Sequence, residues 1–411
     1  MGTVLRLILL ASIVLFLQQA SAQPPSVINV EIDWMADGTH SHRPTQAEIN
    51  AVVQMFACHG ITLNAVIDDS IQHFNVLRRD PADSNNFFGY NNGPDTFGGI
   101  KAANFTSGTG WHYCVLAHQY QDKQYNTSGS SGLGEQPGDD FVVTLGAFNA
   151  NTGTSWQRTS TFAHELGHNL GLNHAGNMNP SVVGNNTPTV PSIMTYFFQL
   201  AGVRTNLICQ GLAPSQANLF KELDYSNGIG CSVDENALDE NIGIGMRKVD
   251  WNCNNIIGGV IAQDISNNSG SNGWCGATGP LQNSLSDYNE WVNIQDVTSA
   301  TYAKHGYMSV EVSCITFEEY QRYRNATGGC LEPPVVNEAC VVAQMFYVRP
   351  GIGSGNGTCT FPYLSLSAAY SSVVNGDVLY FARGNYPISG PMTLSRRCTL
   401  AGPGGAVLGT P

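Results

Sequence analysis

The sequence has few basic residues and, after its first 22 residues, no long apolar run. Lys and Arg number 18 against 31 Asp and Glu in 411 residues, and the formal net charge is −13 at neutral pH. No basic tract suited to nucleic-acid phosphates occurs. A membrane-spanning helix needs about eighteen or more consecutive apolar residues, and no segment of the remaining chain approaches that length. We therefore expect neither nucleic-acid binding nor a membrane span.

The first 22 residues form a pattern of their own. Arg6 is the one charged residue, an apolar run extends from Leu7 to Leu17, and the small residues Ala20-Ser21-Ala22 follow. This pattern predicts a secretory signal that is cleaved before Gln23, because the apolar run is too short to span a membrane. Removing Arg6 with the signal changes the net charge from −13 to −14. We therefore expect a secreted, extracellular protein.

The eleven cysteines include no Cys-x-x-Cys pair. In an exported chain this distribution favours disulfides over metal ligands, since the compartment is oxidising. The odd number leaves at least one cysteine unpaired. Cys253 with Cys275 and Cys359 with Cys398 are candidate local pairs, although sequence alone does not fix the connectivity.

One stretch, beginning at His164, carries a metal-binding pattern: His-Glu-Leu-Gly-His-Asn-Leu-Gly-Leu-Asn-His. On a helix His164 and His168 lie on the same face, and Glu165 lies beside that face, within reach of a water molecule. Gly171 allows the chain to leave the helix so that His174 can return as a third ligand. Three protein ligands leave a fourth position open, as in catalytic zinc sites. The alternative, core or surface histidines on an amphipathic helix, is less consistent with the third histidine and the glycine.

These residues match the metzincin signature His-Glu-x-x-His-x-x-Gly-x-x-His, so this part of the chain resembles the metzincin metallopeptidases. Metzincins also have a methionine turn below the metal, for which Ser192-Ile193-Met194-Thr195-Tyr196 is the candidate. The resemblance implies that Met194 is a hydrophobic floor that does not bind the metal. It implies that Tyr196 is a displaceable ligand or an oxyanion stabiliser, as in astacin-like and serralysin-like members. The alternative for Tyr196 is packing in an aromatic cluster with Phe197 and Phe198.

The resemblance has motif support from Ser26 to about Tyr196 and extends more loosely to about residue 320. It implies a zinc-dependent endopeptidase in which Glu165 accepts a proton from the attacking water, with a peptide or protein as the substrate. Ala175, directly after the third histidine, fits none of the common subfamily markers. The subfamily therefore stays open.

The pattern before the zinc motif predicts an α/β (α+β) fold, a twisted mixed sheet followed by the zinc helix. Thr45 and Glu48 form a capping box ahead of apolar residues at helical spacing. Strands are predicted at Ser26–Trp34, Ile61–Ile67, Trp111–Tyr120 and Phe141–Leu145. Between the last two, the Gly-rich residues 131–134 are candidates for an edge strand that pairs with an extended substrate, with an ordinary flexible loop as the alternative.

We expect a metallopeptidase domain over residues 23–320, with an upper half to about residue 171. The lower half contains the methionine turn and then an insert rich in Asp and Asn, which resembles the start of a calcium-binding loop. The candidate calcium ligands are Asp250, Asn252, Asn254 and Asp264. The match departs from a calcium loop where Asn255 replaces Gly and Ile261 replaces the bidentate Glu. A loop of hydrogen-bonded Asx-turns is the alternative.

The end of the chain differs in character. Glu332-Pro333-Pro334 predicts a stiff linker within residues 321–345. Residues 346–411 contain short strand-like runs broken by glycines and resemble the first coils of a pectate-lyase-like parallel β-helix. Only one or two coils fit into this length, whereas a solenoid normally needs three or more.

Two other functions stay open at this point. The first is a cell-surface adhesin or carbohydrate-binding protein in which the C-terminal segment makes the carbohydrate contact and the zinc site is incidental. The second is a polysaccharide-active enzyme built on the same segment, which lacks an evident set of acidic and basic residues along stacked coils. Chelator-sensitive cutting of peptides would distinguish the peptidase from both.

Overall fold

The structure is a computed structural model. It describes residues 25–89, 93–174, 189–200, 202–204, 221–226, 228, 233–241, 250–266, 279–296, 298, 310–320, 345–348, 363–373, 378–381, 384–386, 399–401 and 406–408. The predicted signal at 1–22, the diproline in the linker, and Ala175, Cys275, Cys359 and Cys398 lie outside these residues. Cys58 and Cys253 are disulfide-bonded. The pairings of Cys253 with Cys275 and of Cys359 with Cys398 stay predictions.

The elements before and including the zinc helix are β1 (Val27–Ala36), α1 (Gln46–Cys58), β2 (Thr62–Gln72), α2 (Phe97–Asn104), β3 (His112–Ala117), β4 (Gly132–Gln136), β5 (Asp140–Thr144) and α3 (Ser155–Asn169). Those that follow are α4 (Tyr196–Gln199), β6 (Val203–Arg204), β7 (Lys221–Glu222), β8 (Leu238–Asp239), β9 (Val260–Ile261) and β10 (Val310–Ser313). The last are β11 (Met345–Val348), α5 (Leu366–Ser372), β12 (Val378–Phe381), β13 (Gly384–Tyr386), β14 (Thr399–Ala401) and β15 (Ala406–Leu408).

A six-stranded sheet with the order β10-β4-β5-β3-β1-β2 forms the centre of the fold. Strands β1, β2, β3 and β5 are mutually parallel, whereas β4 and β10 are antiparallel to their neighbours. The predicted mixed α/β fold is confirmed in this mainly parallel sheet. The residue range 131–134 does contribute to a strand, β4, but β10 lies outside it, so β4 is not the edge.

Both faces of the sheet are covered, as expected for parallel strands with continuous apolar sequences. Every residue of β3 and of β5 is buried. On one face the apolar side of α1, with Ile49, Val52 and Phe56, packs together with α3. The other face is covered by an aromatic cluster that includes Phe87 and Phe97. This double covering gives α3 a fixed position against the sheet.

The beginning of α1 follows its sequence closely. The Thr45 hydroxyl accepts a hydrogen bond from the Glu48 amide, and the Glu48 carboxylate accepts one from the Thr45 amide at 2.9 Å. The Glu48 carboxylate also accepts two hydrogen bonds from Arg158 on α3, the shorter being 2.6 Å from Nη2 to Oε1. The buried Glu48 carboxylate therefore completes the capping box of α1 and also joins α1 to the zinc helix.

The C-terminal residues form two small sheets. Strands β11, β12 and β14 pair in parallel, and so do β13 and β15. Leu366 and Ala369 of α5 pack into a separate core with Val348 and Leu379. Parallel pairing is common to β-helices and to other parallel sheets, so the β-helix assignment is not confirmed and stays a prediction. Among the described residues, none of the helices is long and apolar enough to cross a membrane.

Candidate metal centre

The zinc helix α3 begins at a second capping box. The Thr154 hydroxyl accepts a hydrogen bond from the Gln157 amide at 3.2 Å, and the Gln157 side chain accepts one from the Thr154 amide at 2.8 Å. From Thr159 onward every residue of the helix is buried, including His164, Glu165 and His168. Burying these polar side chains is costly unless they are hydrogen-bonded or bind an ion. The helix is therefore built around a polar centre.

Main-chain carbonyls orient the first two histidines. Nδ1 of His164 lies 2.7 Å from the Ile193 carbonyl oxygen, and Nδ1 of His168 lies 2.8 Å from the Leu172 carbonyl oxygen. Because a carbonyl only accepts hydrogen bonds, the proton of each ring is on Nδ1. Each Nε2 therefore carries a lone pair, which is the form that binds a metal.

The third histidine completes a convergent set. The helix ends in a turn at Gly171, whose φ of 88° favours glycine, and the Leu172 amide donates to the Gly167 carbonyl at 2.9 Å. This turn returns His174 to the helix face, where its Nε2 lies 3.0 Å from Nε2 of His168.

The spacing of these nitrogens fits a zinc ion. Zinc–nitrogen bonds of 2.0–2.1 Å in tetrahedral geometry place two nitrogens about 3.3 Å apart. One ligand atom from each of His164, His168, His174 and Cys314 lies within 4.8 Å of all the others. Nε2 of His164 is buried without a hydrogen-bond partner, as expected of an atom that binds an ion. The donor set of three imidazoles with one thiol suits zinc.

Glu165 lies beside these ligands. Its Oε2 is buried without a hydrogen-bond partner, and its Oε1 is in contact with Sγ of Cys314. Burial raises the pKa of the Glu165 carboxyl well above its ordinary value. A Cβ atom at Gly132 of β4 would overlap the Glu165 carboxylate, so glycine is needed there for the carboxylate to lie against the sheet.

Met194 lies below the helix. It is fully buried, and its Sδ fills the space that a Cβ atom at Gly167, between the two helical histidines, would occupy. The turn is held by the Ile193 amide, which donates to the Asp224 carbonyl at 3.0 Å. The Tyr225 hydroxyl donates to the Ala163 carbonyl at 2.6 Å and fixes the following segment to α3.

Tyr196 faces the histidines. Its ring centre is 4.4 Å from that of His174, and its hydroxyl donates a hydrogen bond of 2.6 Å to the Ser313 carbonyl. The side chain of Phe197 lies outside the described residues, so the proposed aromatic cluster is not tested as a whole. The geometry places the Tyr196 hydroxyl against a main-chain carbonyl next to the metal ligands.

Cys314 and strand β10 were not anticipated from the sequence. β10 is short and follows the zinc motif by more than a hundred residues, so no local pattern joins the two. A weak signal was present, because a cysteine after Val-Glu-Val-Ser ends an alternating strand-like run. Cys114 and Cys314 are both free and buried.

The candidate calcium ligands are engaged with the main chain. The Asp250 carboxylate accepts hydrogen bonds from the amides of Asn254 and Asn255 at 3.1 and 2.6 Å. The side-chain oxygen of Asn252 also accepts from the Asn254 amide, at 3.1 Å, and that of Asn254 accepts from the Ile256 amide, at 2.7 Å. Asp264 accepts from the Ser266 amide at 3.2 Å. The contacts made by Asn252, Asn254 and Asp264 have the spacing of Asx-turns, and calcium binding stays a prediction.

Residues 63–175 match the family model of the reprolysin-like metallopeptidases of family M12B. No curated protein matches the chain. The matched residues include all of β2 except Thr62, all of β3 and β5, and the complete zinc motif. The match, together with the histidine cluster, supports a zinc metallopeptidase of metzincin type, for which zinc is the expected metal. A peptidase implies a peptide or protein substrate. The carbohydrate contact predicted for the C-terminal segment has no support.

Proposed function

We propose that the protein is a secreted zinc-dependent endopeptidase, with His164, His168 and His174 as the zinc ligands and Glu165 as the general base. The observation that carries the proposal is the convergence of three buried imidazoles beside a buried carboxylate. In His164 and His168 a main-chain carbonyl binds Nδ1, so that Nε2 of each ring is left to bind the metal. The pattern of the first 22 residues supports secretion.

A zinc ion at this site would lower the pKa of a water molecule to about 7 and polarise a peptide carbonyl. Glu165 accepts the proton of the attacking water at Oε2, the oxygen that has no other partner. It then donates this proton to the nitrogen of the leaving amine. The Tyr196 hydroxyl, which donates to a main-chain carbonyl in this structure, stabilises the oxygen that develops negative charge.

The test is the variant Glu165→Gln, purified as the full chain and assayed for casein digestion and zinc content. We expect zinc to be retained and the cleavage rate to fall by about a thousandfold, within the range that general acid–base catalysis contributes. Glu318→Gln is the matched control, because Glu318 is an exposed carboxylate. A Glu165→Gln protein that digests casein at the rate of the parent would show that the assigned role is wrong.

A further inference from the structure

A second histidine cluster shares no residue with the zinc motif. Its members are His40, His42, His73 and His118. All six pairs of ring centres are 4.4 to 5.5 Å apart. One ligand nitrogen from each ring lies within 4.8 Å of all the others. Four convergent imidazoles are the donor set of a divalent transition-metal ion.

The fold brings these residues together at one end of the sheet. His73 directly follows β2, and His118 directly follows β3. His40 and His42 lie in a tight turn after β1, in which the His42 amide donates to the Met35 carbonyl at 2.9 Å. Because β3, β1 and β2 are adjacent and parallel, their carboxyl ends meet at the same edge.

Asp37 orients two of the rings. Nδ1 of His73 is 3.4 Å from its carboxylate. The Thr39 hydroxyl donates to the same carboxylate at 2.6 Å, which leaves the Thr39 oxygen to accept from Nδ1 of His40 at 3.0 Å. The protons are therefore on Nδ1, and Nε2 of both rings carries a lone pair. Carboxylates commonly orient metal-binding histidines in this way.

The ring nitrogens that face the centre of the cluster cannot all be satisfied by hydrogen bonds to one another. Nδ1 of His118 is 3.2 Å from Nε2 of His40 and 3.3 Å from Nε2 of His42. A ring nitrogen has either one proton or one lone pair, so this atom makes a good hydrogen bond with only one of them. Nε2 of His73 is buried without a hydrogen-bond partner. The two short separations match the spacing of about 3.3 Å in a tetrahedral zinc site.

Burial favours the neutral form of three of the rings, which is the form that binds metals. Burial, reinforced by the neighbouring rings, lowers the pKa of His42 to about 3. Burial likewise lowers the pKa of His73 and of His118. A side chain at Gly146 would lie 2.6 Å from the His118 ring, so this glycine makes room for the ring.

We propose that His40, His42, His73 and His118 form a second metal site, which takes a divalent ion of the zinc type in near-tetrahedral, all-nitrogen coordination. The site has no open position for a substrate, which indicates a structural role. A bound ion would fasten the turn after β1 to the ends of β2 and β3.

Zinc stoichiometry tests this site separately from the zinc motif. The full chain is stripped with a chelator and titrated with Zn²⁺ by calorimetry, with the folded state checked by circular dichroism. We expect two equivalents for the parent and for the control His59→Gln. We expect one equivalent for His118→Gln, for His73→Gln and for His168→Gln. A parent that binds one equivalent, lost in His168→Gln and kept in His118→Gln, would overturn this proposal and leave the proposed function intact.

X-ray absorption on zinc-loaded His168→Gln protein covers the case in which the cluster variants do not fold, because only the second site then holds zinc. We expect four nitrogen ligands at about 2.0 Å and no sulfur. A shell dominated by oxygen, or fewer than three imidazoles, would overturn the proposal. One equivalent that is lost in His118→Gln but kept in His168→Gln would instead contradict the proposed function.

Discussion

The Tyr196 hydroxyl donates a hydrogen bond of 2.6 Å to the main-chain carbonyl of Ser313, the residue before Cys314. The hydroxyl therefore reaches a main-chain carbonyl beside the metal ligands. In the proposed reaction the same hydroxyl donates to the substrate carbonyl as negative charge develops on its oxygen.

We therefore expect Tyr196→Phe to lower kcat about a hundredfold, in line with the loss of one oxyanion donor, without changing zinc content. The measurement uses the zinc-loaded full chain. Tyr125→Phe, at an exposed tyrosine, is the control. Equal kcat values for Tyr196→Phe and its parent would show that Tyr196 only packs against His174.

Packing between Gly167 and Met194 gives a second prediction. Alanine normally favours a helix over glycine by about 1 kcal/mol, but here the added Cβ would overlap Met194 Sδ. We expect Gly167→Ala to lower the free energy of unfolding by about 1–3 kcal/mol, as overpacked cores do. Urea denaturation measures this change.

A double variant identifies the cause of that loss. Met194→Ala alone should cost about 2–5 kcal/mol, because it leaves a cavity under the helix. If the overlap is the cause, adding Gly167→Ala to Met194→Ala should cost much less than Gly167→Ala costs alone. Additive losses would mean that the two side chains do not interact.

The ion pair between Arg158 and Glu48 should stabilise the zinc helix. Glu48 is buried, so Arg158→Ala would leave its carboxylate without its partner, and we expect a loss of about 3 kcal/mol in the free energy of unfolding. Arg78→Ala is the matched control, since Arg78 pairs with Asp95 at an exposed position. Its loss should not exceed about 1 kcal/mol. Similar losses for the two variants would contradict this assignment.

The titration of the Asp33 carboxyl group should make the free energy of unfolding depend on pH. Burial raises its pKa from 3.8 to about 6, although the Tyr113 hydroxyl and the Asp69 amide donate hydrogen bonds to it. Between these two pH values the folded state keeps a proton that the unfolded state has lost. The contribution of Asp33 to the free energy of unfolding is therefore full below pH 3.8 and falls as the pH rises to about 6.

Asp33→Asn should abolish this contribution, because the amide does not titrate and can still pair with Tyr113 and the Asp69 amide. Chemical denaturation at several pH values between 4 and 7 provides the measurement. The expected result is a stability difference, parent minus variant, that decreases with rising pH over this range. Asp83→Asn, at an exposed aspartate, should leave the pH profile of the parent unchanged. A constant difference for Asp33→Asn would exclude the proposed titration.

The sequence predicts the parts of this protein that local physics determines. The capping box of Thr45 and Glu48 follows from side chains three residues apart, and the pairing of His164 with His168 on one face follows from helical geometry. The return of His174 to the helix face depends on Gly171, which can adopt a positive φ. This glycine is part of the motif and is visible in the sequence. Predicted strands agree closely with β1, β2, β3 and β5, since buried strands of a parallel sheet have continuous apolar sequences.

Contacts between distant residues were not predictable in the same way. Cys314 and Glu165 are 149 residues apart, and only the pairing of β10 with β4 brings them together. The second histidine cluster had a recognisable signal, because a histidine follows each of three strands that a parallel sheet aligns. That signal requires the order of the strands in the sheet, which periodicity alone does not give.

The central claim is that the zinc motif hydrolyses internal peptide bonds. The most direct measurement is digestion of a mixed peptide library by the zinc-loaded full chain, with products identified by mass spectrometry. We predict cuts at internal bonds that disappear with a zinc chelator, return when zinc is restored, and are absent in the Glu165→Gln variant. Cutting that persists in the chelator, or a zinc-loaded full chain that cuts no peptide, would contradict the account.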